Sequence, residues 1–105
     1  MFKLLEGIRV IEYAVLINGG SIGMVLGELG ADVVKLELPG RGDYIRDFLG
    51  QIAPHCSPAH LQMNKNKRSL ALDVTQPEGR DLFFRLLQTA DIFVDGFTPG
   101  VCDRL

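Results

Sequence analysis

The sequence contains no long hydrophobic run. None of its apolar segments approaches the ~20 residues that a transmembrane helix requires. The start of the chain, in which two leucines stand between Lys3 and Glu6, also lacks the apolar stretch of a secretory signal peptide. We therefore expect a cytoplasmic protein that does not act at a membrane. With 105 residues, 47% of them hydrophobic, the chain suits a single domain, residues 1–105, around one core.

An excess of positive charge is also missing. The 11 Lys and Arg residues face 13 Asp and Glu residues, which gives a formal net charge of −2 and argues against a nucleic-acid partner. A local basic cluster, NKNKR, lies at residues 64–68. Two interpretations of it stay open, a solvated basic turn and an anion site for phosphate groups.

Cysteine is scarce. Cys56 and Cys102 do not form a Cys-x-x-Cys pair, which is typical of ordinary thiols in a reducing compartment. His55, Cys56 and His60 lie close together, but the second paired half of a structural zinc site is absent from the sequence. The sequence therefore predicts loop residues here and no metal site.

The clearest pattern lies in residues 7–38. A β-rich run at residues 8–11 precedes a turn at residues 18–20, and Ser21 stands where the N-cap of a helix would. A predicted apolar stripe with helical spacing follows, made of Ile22, Val25, Leu26 and Leu29. Gly30 then stands where a left-handed helix cap would, and residues 33–38 predict a second strand. Because this connection is long enough for a helical crossover, we expect two parallel strands joined by a helix.

Two glycines interrupt the predicted helix. Gly23 and Gly27 lie four residues apart on one side of it, and each costs about 1 kcal/mol relative to alanine. Two explanations stay open: a close approach of the helix to the sheet, and a ligand or partner helix across that face.

The middle of the chain is less regular. Residues 39–43 have the composition of a turn, and residues 44–49 are a predicted helical turn. Residues 50–60, with two prolines and little periodicity, are a predicted irregular surface loop. Alternating polar and apolar residues at 69–73 predict a half-buried strand.

The last third of the chain predicts a helix and a strand. TQPE at residues 75–78 has the spacing of a capping box, and the apolar stripe of a second helix follows it as far as Ala90. Residues 92–94 predict a buried strand, residues 95–100 a turn, and residues 101–105 the beginning of a further helix. The order of elements predicts an α/β fold with three layers, Rossmann-like, with a largely parallel sheet.

One alternative function follows from Glu37. An acid at the end of the second strand is where a dinucleotide-binding fold holds a ribose hydroxyl. The dinucleotide fingerprint also needs Gly-x-Gly-x-x-Gly at the first turn, and the glycines at residues 19, 20 and 23 have the wrong spacing. A nicotinamide-dinucleotide-binding domain therefore stays as a minor alternative.

Five motifs occur in an order that periodicity does not explain. They are LEGIRV at residues 5–10, LGADVVKLE at 29–37, NKRSLALD at 66–73, PEGR at 77–80, and FTPGV at 97–101 followed by Arg104 and Leu105. Together they resemble the amino-terminal segment of the class III CoA-transferases. That family includes formyl-CoA transferase, carnitine CoA-transferase and α-methylacyl-CoA racemase.

The resemblance implies a site for coenzyme A, bound as a substrate and not as a tightly held cofactor. The implied cofactor-binding residues are Val15, Leu16, Ile17, Asn18, Leu38, Arg41, Leu72, Phe97 and Arg104. Among them, Leu38 replaces an arginine that commonly stacks on the adenine in the family, with Arg41 as a possible substitute, and Arg104 matches a basic residue placed to meet phosphate. Gly96 replaces the usual asparagine.

The resemblance also implies an activity, the movement of CoA between an acyl-CoA and a small free carboxylic acid. In the family an aspartate carries the covalent intermediates, and it belongs to a segment beyond Leu105. No residue of this chain is therefore predicted as catalytic, and the chain alone is predicted inactive. The family fold interlocks two subunits, so a homodimer is expected of full-length members. Two alternatives stay open: a fragment of an acyl-CoA racemase, and a catalytically empty binding or dimerisation module.

Overall fold

The computed structural model describes residues 3–105, so the first two residues of the predicted domain lie outside the described residues. The described elements are β1 (Arg9–Tyr13), α1 (Asn18–Glu28), β2 (Asp32–Glu37), α2 (Pro58–Met63), β3 (Lys67–Ala71), α3 (Pro77–Leu87) and β4 (Ile92–Asp95). Two short 3₁₀ turns cover Tyr44–Asp47 and Cys102–Arg104. None of the helices in this part of the chain is long and apolar enough to cross a membrane.

The four strands form one parallel sheet in the order β3-β2-β1-β4. The chain moves outward from β1 through β2 to β3, and α3 then returns it to β4 on the other side of β1. All four strands therefore end at the same edge of the sheet. The direction of winding reverses between β1 and β4, and this is the position where open α/β sheets bind ligands.

Helices cover both faces of the sheet, as three layers require. One face carries Ile11, Val34 and Leu36, which pack against Phe83 of α3. The other face carries Val10 and Val33, which pack against Leu26 of α1. Successive side chains of a strand point to opposite faces, so each buried strand supplies both cores. The predicted three-layer α/β fold is confirmed.

Helix α1 begins earlier than the sequence indicates. The predicted N-cap at Ser21 is wrong, because the predicted turn at residues 18–20 is itself the first helical turn and Ile17 occupies the N-cap position. Ser21 instead donates its hydroxyl hydrogen to the carbonyl oxygen of Ile17, at 2.7 Å. Gly30 has a φ of 101°, so the helix does end in the left-handed conformation that its position predicts.

Glycines form the buried side of α1. The buried residues of this helix are Gly19, Gly20, Gly23 and Gly27, whereas Ile22 and Val25 of the predicted apolar stripe are 52% and 49% exposed. The structure therefore shows the close approach of helix to sheet, the first of the two explanations for the paired glycines.

The predicted loop at residues 50–60 is wrong in its last part, where α2 begins. Ser57 is the N-cap of α2: its hydroxyl oxygen accepts a hydrogen bond from the amide of His60 at 3.0 Å, and Pro58 occupies the first turn. This Ser-Pro start was readable from the sequence, but the helix is only six residues long and has no apolar periodicity to reveal it.

Two further predictions in the second half need correction. Strand β3 starts at Lys67, two residues before the predicted strand, and its last four residues are exposed because it lies at the edge of the sheet. The predicted capping box at residues 75–78 is not formed. Gln76 occupies the N-cap of α3 without a side-chain bond, and the Thr75 hydroxyl donates to Asp73 at 2.6 Å.

Candidate functional site

Two clefts open at the carboxyl ends of the strands. The larger, about 370 Å³, lies where the winding reverses between β1 and β4. It is lined by Val15, Leu16, Ile17, Asn18, Gly19, Phe48 and Gly96. Four consecutive residues of this wall, Val15 to Asn18, lead from the end of β1 into the first residue of α1, and we refer to them as the 15–18 turn.

The smaller cleft, about 140 Å³, lies above the end of β2. Its walls include Tyr13, Val15, Glu37, Leu38, Arg41, Asp43 and Phe97. Phe97 packs edge-on against the ring of Tyr13, with 4.6 Å between centroids. Val15 belongs to both clefts, so the two are adjacent.

Buried charges lie directly beneath the 15–18 turn. Glu12, Lys35 and Asp43 are each no more than 2% exposed. Lys35 Nζ lies 3.0 Å from Glu12 Oε2 and 2.8 Å from Asp43 Oδ2. Lys67, whose side chain is 2% exposed, donates to Glu12 Oε1 at 2.9 Å and to the carbonyl oxygen of Gly20 at 2.9 Å.

Glu37 continues the same group of charges at the end of β2. Arg46 binds its carboxylate with two nitrogens, Nη2 at 2.8 Å from Oε1 and Nε at 2.9 Å from Oε2. Asp43 donates its backbone N–H to the same carboxylate at 3.2 Å. Glu12, Lys35, Glu37, Asp43, Arg46 and Lys67 together are called the buried charge cluster below.

Hydrogen bonds outweigh the effect of burial on the pKa values of Asp43 and Glu37. Burial alone would raise the pKa of Asp43, but the amides of Ile45 and Leu16 and the ammonium of Lys35 bring it below its usual value. Burial alone would likewise raise the pKa of Glu37, but the hydrogen bonds and the charge of Arg46 bring it below its usual value. Both acids are therefore ionised at neutral pH.

Burial has the opposite effect on the pKa values of the two bases Lys67 and His60, which it lowers. Burial lowers the pKa of Lys67 in spite of the carboxylate of Glu12. Burial and the nearby Arg46 guanidinium lower the pKa of His60, whose Nε2 lies 3.2 Å from Arg46 Nη1. His60 is therefore held neutral beside the cluster.

The basic segment at residues 64–68 supplies ion pairs within the protein. Lys65 pairs with Glu28 at 2.5 Å, Lys67 with Glu12, and Arg68 with Asp32 at 2.7 Å. Lys65 and Arg68 fit the solvated basic turn, while Lys67 is buried and fits neither of the two earlier interpretations.

The predicted absence of a metal site concerns His55, Cys56 and His60. His55 Nδ1 lies 3.0 Å from Asp47 Oδ1, while His60 contacts Arg46 and Asn64. Within residues 3–105, no group of three or more His, Cys, Asp or Glu side chains is arranged to hold a metal ion.

Comparison with known proteins identifies the family. The sequence model of CoA-transferase family III matches residues 5–105. This chain belongs to CoA-transferase family III.

Its relatives extend well beyond the matched segment. The chain is 39% identical over 105 residues to formyl-CoA:oxalate CoA-transferase of Rhodopseudomonas palustris strain TIE-1, which covers all of this chain and 25% of that protein. The enzyme of the same name from Afipia carboxidovorans is 36% identical over the same lengths. The chain thus spans about a quarter of the length of the curated relatives it matches.

Solved structures share the fold of this segment. A CAIB/BAIF family protein from Brucella suis superposes with a TM-score of 0.87 at 33% identity, covering 99% of this chain and 28% of that one. A hypothetical protein from Mycobacterium tuberculosis superposes with a TM-score of 0.86 at 33% identity, covering 97% of this chain and 27% of that one.

The structure brings together most of the residues that the resemblance to CoA-transferase family III implies. The 15–18 turn lines the larger cleft, while Leu38, Arg41 and Phe97 line the smaller one. Arg41 already has a partner, because its guanidinium carbon lies 3.9 Å from the centroid of the Tyr44 ring. The substitute role expected of Arg41 would therefore require it to leave that ring.

Two implied residues of CoA-transferase family III lie elsewhere. Leu72 packs against the core between the sheet and α3, and it lines a separate apolar groove with Leu82 and Leu86. Arg104 lies in the last 3₁₀ turn and lines neither cleft.

The buried charge cluster is what sequence reasoning missed in this member of CoA-transferase family III. A signal was present, because Lys35 and Glu37 stand at alternate positions of a strand that is apolar in its other positions after Asp32, and so share one face. Charged residues on a covered face of a parallel strand require partners there. Phe48, in the wall of the larger cleft, gave no signal of its own.

Proposed function

We propose that this chain forms part of the coenzyme A site of an enzyme that moves CoA between an acyl-CoA and a small carboxylic acid. The observation that carries the proposal is the meeting of the two clefts at Val15. Residues that follow β1, β2 and β4 thereby converge on one crevice at the carboxyl edge of the sheet.

The walls of the clefts suit the parts of a CoA molecule. Leu38 and Phe97 supply apolar and aromatic surface of the kind that a nucleotide base contacts, and the 15–18 turn supplies an apolar wall for a pantetheine chain. The amino end of α1 has no side-chain cap, and Asn18 and Gly19 of its first turn line the larger cleft, where a phosphate or carboxylate would meet the helix terminus.

The carboxylates of the smaller cleft support the view that this segment binds and does not supply the nucleophile. A carboxylate nucleophile needs a free oxygen directed at the substrate carbonyl. Glu37 is bound by Arg46, and Asp43 by Lys35 and two backbone amides. We therefore propose that the acyl-carrying aspartate belongs to another part of the enzyme. Relatives named formyl-CoA:oxalate CoA-transferase favour a small acid as the acceptor.

Titration of CoA into the 105-residue chain tests the proposal, with amide chemical shifts as the readout. The expected dissociation constant is on the order of 0.1 to 1 mM, because Leu38 replaces the family's stacking arginine. Adenosine 3′,5′-bisphosphate reports nucleotide recognition separately. Shifts are expected in the 15–18 turn and at Leu38 and Phe97.

The variant Leu38→Arg is expected to tighten binding by roughly 0.5 to 2 kcal/mol, since a guanidinium there reaches the base face. Leu82→Arg is the matched control: Leu82 is 50% exposed, compared with 42% for Leu38, and lies on α3 away from both clefts. Leu82→Arg adds the same positive charge but places no guanidinium near the nucleotide base. Equal gains from the two variants, or shifts scattered away from the clefts, would contradict the proposed site.

A further inference from the structure

We propose that Lys35 and Asp43 are positioning residues that hold the 15–18 turn in the conformation its ligand requires. The inference deepens the proposed function, because it concerns the turn that would meet coenzyme A. Its geometric part concerns the free protein and is testable without any ligand.

Two backbone groups on either side of Val15 are bound by these two side chains. The carbonyl oxygen of Ala14 accepts a hydrogen bond from Lys35 Nζ at 2.8 Å. The amide of Leu16 donates to Asp43 Oδ1 at 2.9 Å. Since Lys35 Nζ and Asp43 Oδ2 are 2.8 Å apart, the contacts close a ring around Val15.

The turn held by this ring is strained. Leu16 has a φ of 58°, in the left-handed region that costs a residue with a side chain roughly 1 to 2 kcal/mol. Such a conformation persists only where the surroundings determine it. Val15, Leu16 and Ile17 are also 40%, 37% and 43% exposed, so core burial of their side chains does not supply that determination.

Each of the two side chains has several partners. Lys35 donates hydrogen bonds to Glu12 and to the carbonyl oxygen of Ala14, and it forms an ion pair with Asp43. Asp43 uses one oxygen for Lys35 and the other for the amides of Leu16 and Ile45. Both residues are almost fully buried. The position of the 15–18 turn therefore depends on the negative charge of the Asp43 side chain as well as on the shape of that side chain.

The variant Asp43→Asn separates charge from shape. Its amide oxygen still reaches the Leu16 amide, but its NH₂ group then faces Lys35 Nζ, and two donors oppose each other. We expect the exchange of the Leu16 amide hydrogen to accelerate about tenfold or more, after correction for any change in global stability. Asp32→Asn is the matched control, because Asp32 loses ion pairs with Arg9 and Arg68 at the opposite end of the strands. In it the Leu16 amide is expected to change less than about threefold.

A measurement on the unaltered chain guards against failure of Asp43→Asn to fold. The Leu16 amide lies in a loop, yet this inference expects it to exchange about as slowly as amides of β1 such as that of Ile11. Exchange at Leu16 more than about a hundredfold faster than at Ile11 would overturn the inference, as would equal rates in the two variants.

CoA binding by the same variants is a separate test. Asp43→Asn is expected to weaken CoA binding about tenfold, and Asp32→Asn less than about twofold, if the ordered turn meets the ligand. Absence of CoA binding by the unaltered chain would count against the proposed function alone, because the exchange rates judge the positioning role independently.

Discussion

Gly23 of α1 lies directly against the carboxylate of Glu12 on β1. A Cβ atom placed on Gly23 would overlap Glu12 Oε1 and lie 3.0 Å from the carboxyl carbon. Glu12 is fully buried and has two lysine partners. The missing side chain therefore leaves room for a charged group between the helix and the sheet.

The substitution Gly23→Ala is expected to destabilise the fold by about 2 to 4 kcal/mol. The added methyl group displaces Glu12 from Lys35 and Lys67, so it combines overpacking with the loss of buried ion pairs. The free energy of unfolding in urea measures the effect.

Gly27→Ala serves as the control on the same buried side of the same helix. A Cβ there meets Asn66 Cβ at 3.5 Å and Val33 Cγ2 at 3.6 Å, which are ordinary contacts. Alanine is the better helix former by about 1 kcal/mol, so stability is expected to stay constant or rise slightly. Similar losses from both substitutions would show that helix packing in general, and not the Glu12 carboxylate, sets the requirement.

The free energy of unfolding is expected to decrease as the pH is lowered, because Asp43 and Glu37 take up protons. The pKa values of Asp43 and Glu37 are lowered in the folded protein, so the unfolded chain binds more protons below their ordinary values of about 4. Their contribution is fully present above about pH 5 and is lost as pH falls through the folded pKa values. Urea unfolding at several pH values between 7 and 3 measures this slope.

Glu37→Gln isolates one of the two acids. It removes a bidentate partner from Arg46 and is expected to cost about 1 to 3 kcal/mol at pH 7. Because the titrating group is gone, the decline of stability between pH 5 and pH 3 should be shallower than in the unaltered chain. A parallel decline in both proteins would refute the role of Glu37.

Ser57→Ala tests the N-cap of α2. The Ser57 hydroxyl accepts from the His60 amide at 3.0 Å and donates to the carbonyl oxygen of Ile45, and the residue is fully buried. Its removal is expected to cost about 1 to 3 kcal/mol. Ser21→Ala is the control, since the Ser21 hydroxyl makes an exposed bond to the carbonyl oxygen of Ile17, the N-cap of α1; thermal unfolding should show a change within about 0.5 kcal/mol.

The 105-residue chain is expected to show no transfer of CoA from an acyl-CoA to a free acid. The reason is chemical: the carboxylates in the wall of the smaller cleft, Glu37 and Asp43, are held by Arg46 and Lys35 and are not free to attack. A coupled assay of acyl-CoA consumption, with a full-length family member as the positive control, measures this. Turnover that is lost in Glu37→Gln would mean that a cluster acid is the nucleophile.

The sequence predicts the framework of this fold better than its polar interior. Apolar runs and the Gly30 cap locate β1, α1 and β2, because hydrophobic periodicity and left-handed caps are local properties. Asn18 and the two following glycines are typical of turns, yet they form the first turn of α1, where Gly19 packs against Ala14, the residue directly after β1. Contact with the sheet overrides local propensity at this point.

In the candidate site, too, local sequence predicts some features and tertiary contacts determine the others. The 15–18 turn follows from its place after β1, but the ring formed by Lys35 and Asp43 depends on side chains from different elements. Ala14 and Lys35 are 21 residues apart, and Leu16 and Asp43 are 27 apart. Without the strand register, no spacing in the sequence brings these groups together. The departure of Leu72 from the clefts is a tertiary effect of the same kind, set by α3.

The charges of the buried cluster sum to zero, with Glu12, Glu37 and Asp43 balanced by Lys35, Arg46 and Lys67. Replacing a fully buried member such as Glu12 or Lys35 leaves an uncompensated buried charge, which costs about 3 to 5 kcal/mol, whereas exchanging a whole ion pair for apolar side chains of similar volume is often neutral. Positions that are distant in sequence, such as Glu12 and Lys67, are therefore expected to covary in related proteins. For an engineer, the ion pair and not the residue is the smallest exchangeable unit in this part of the molecule.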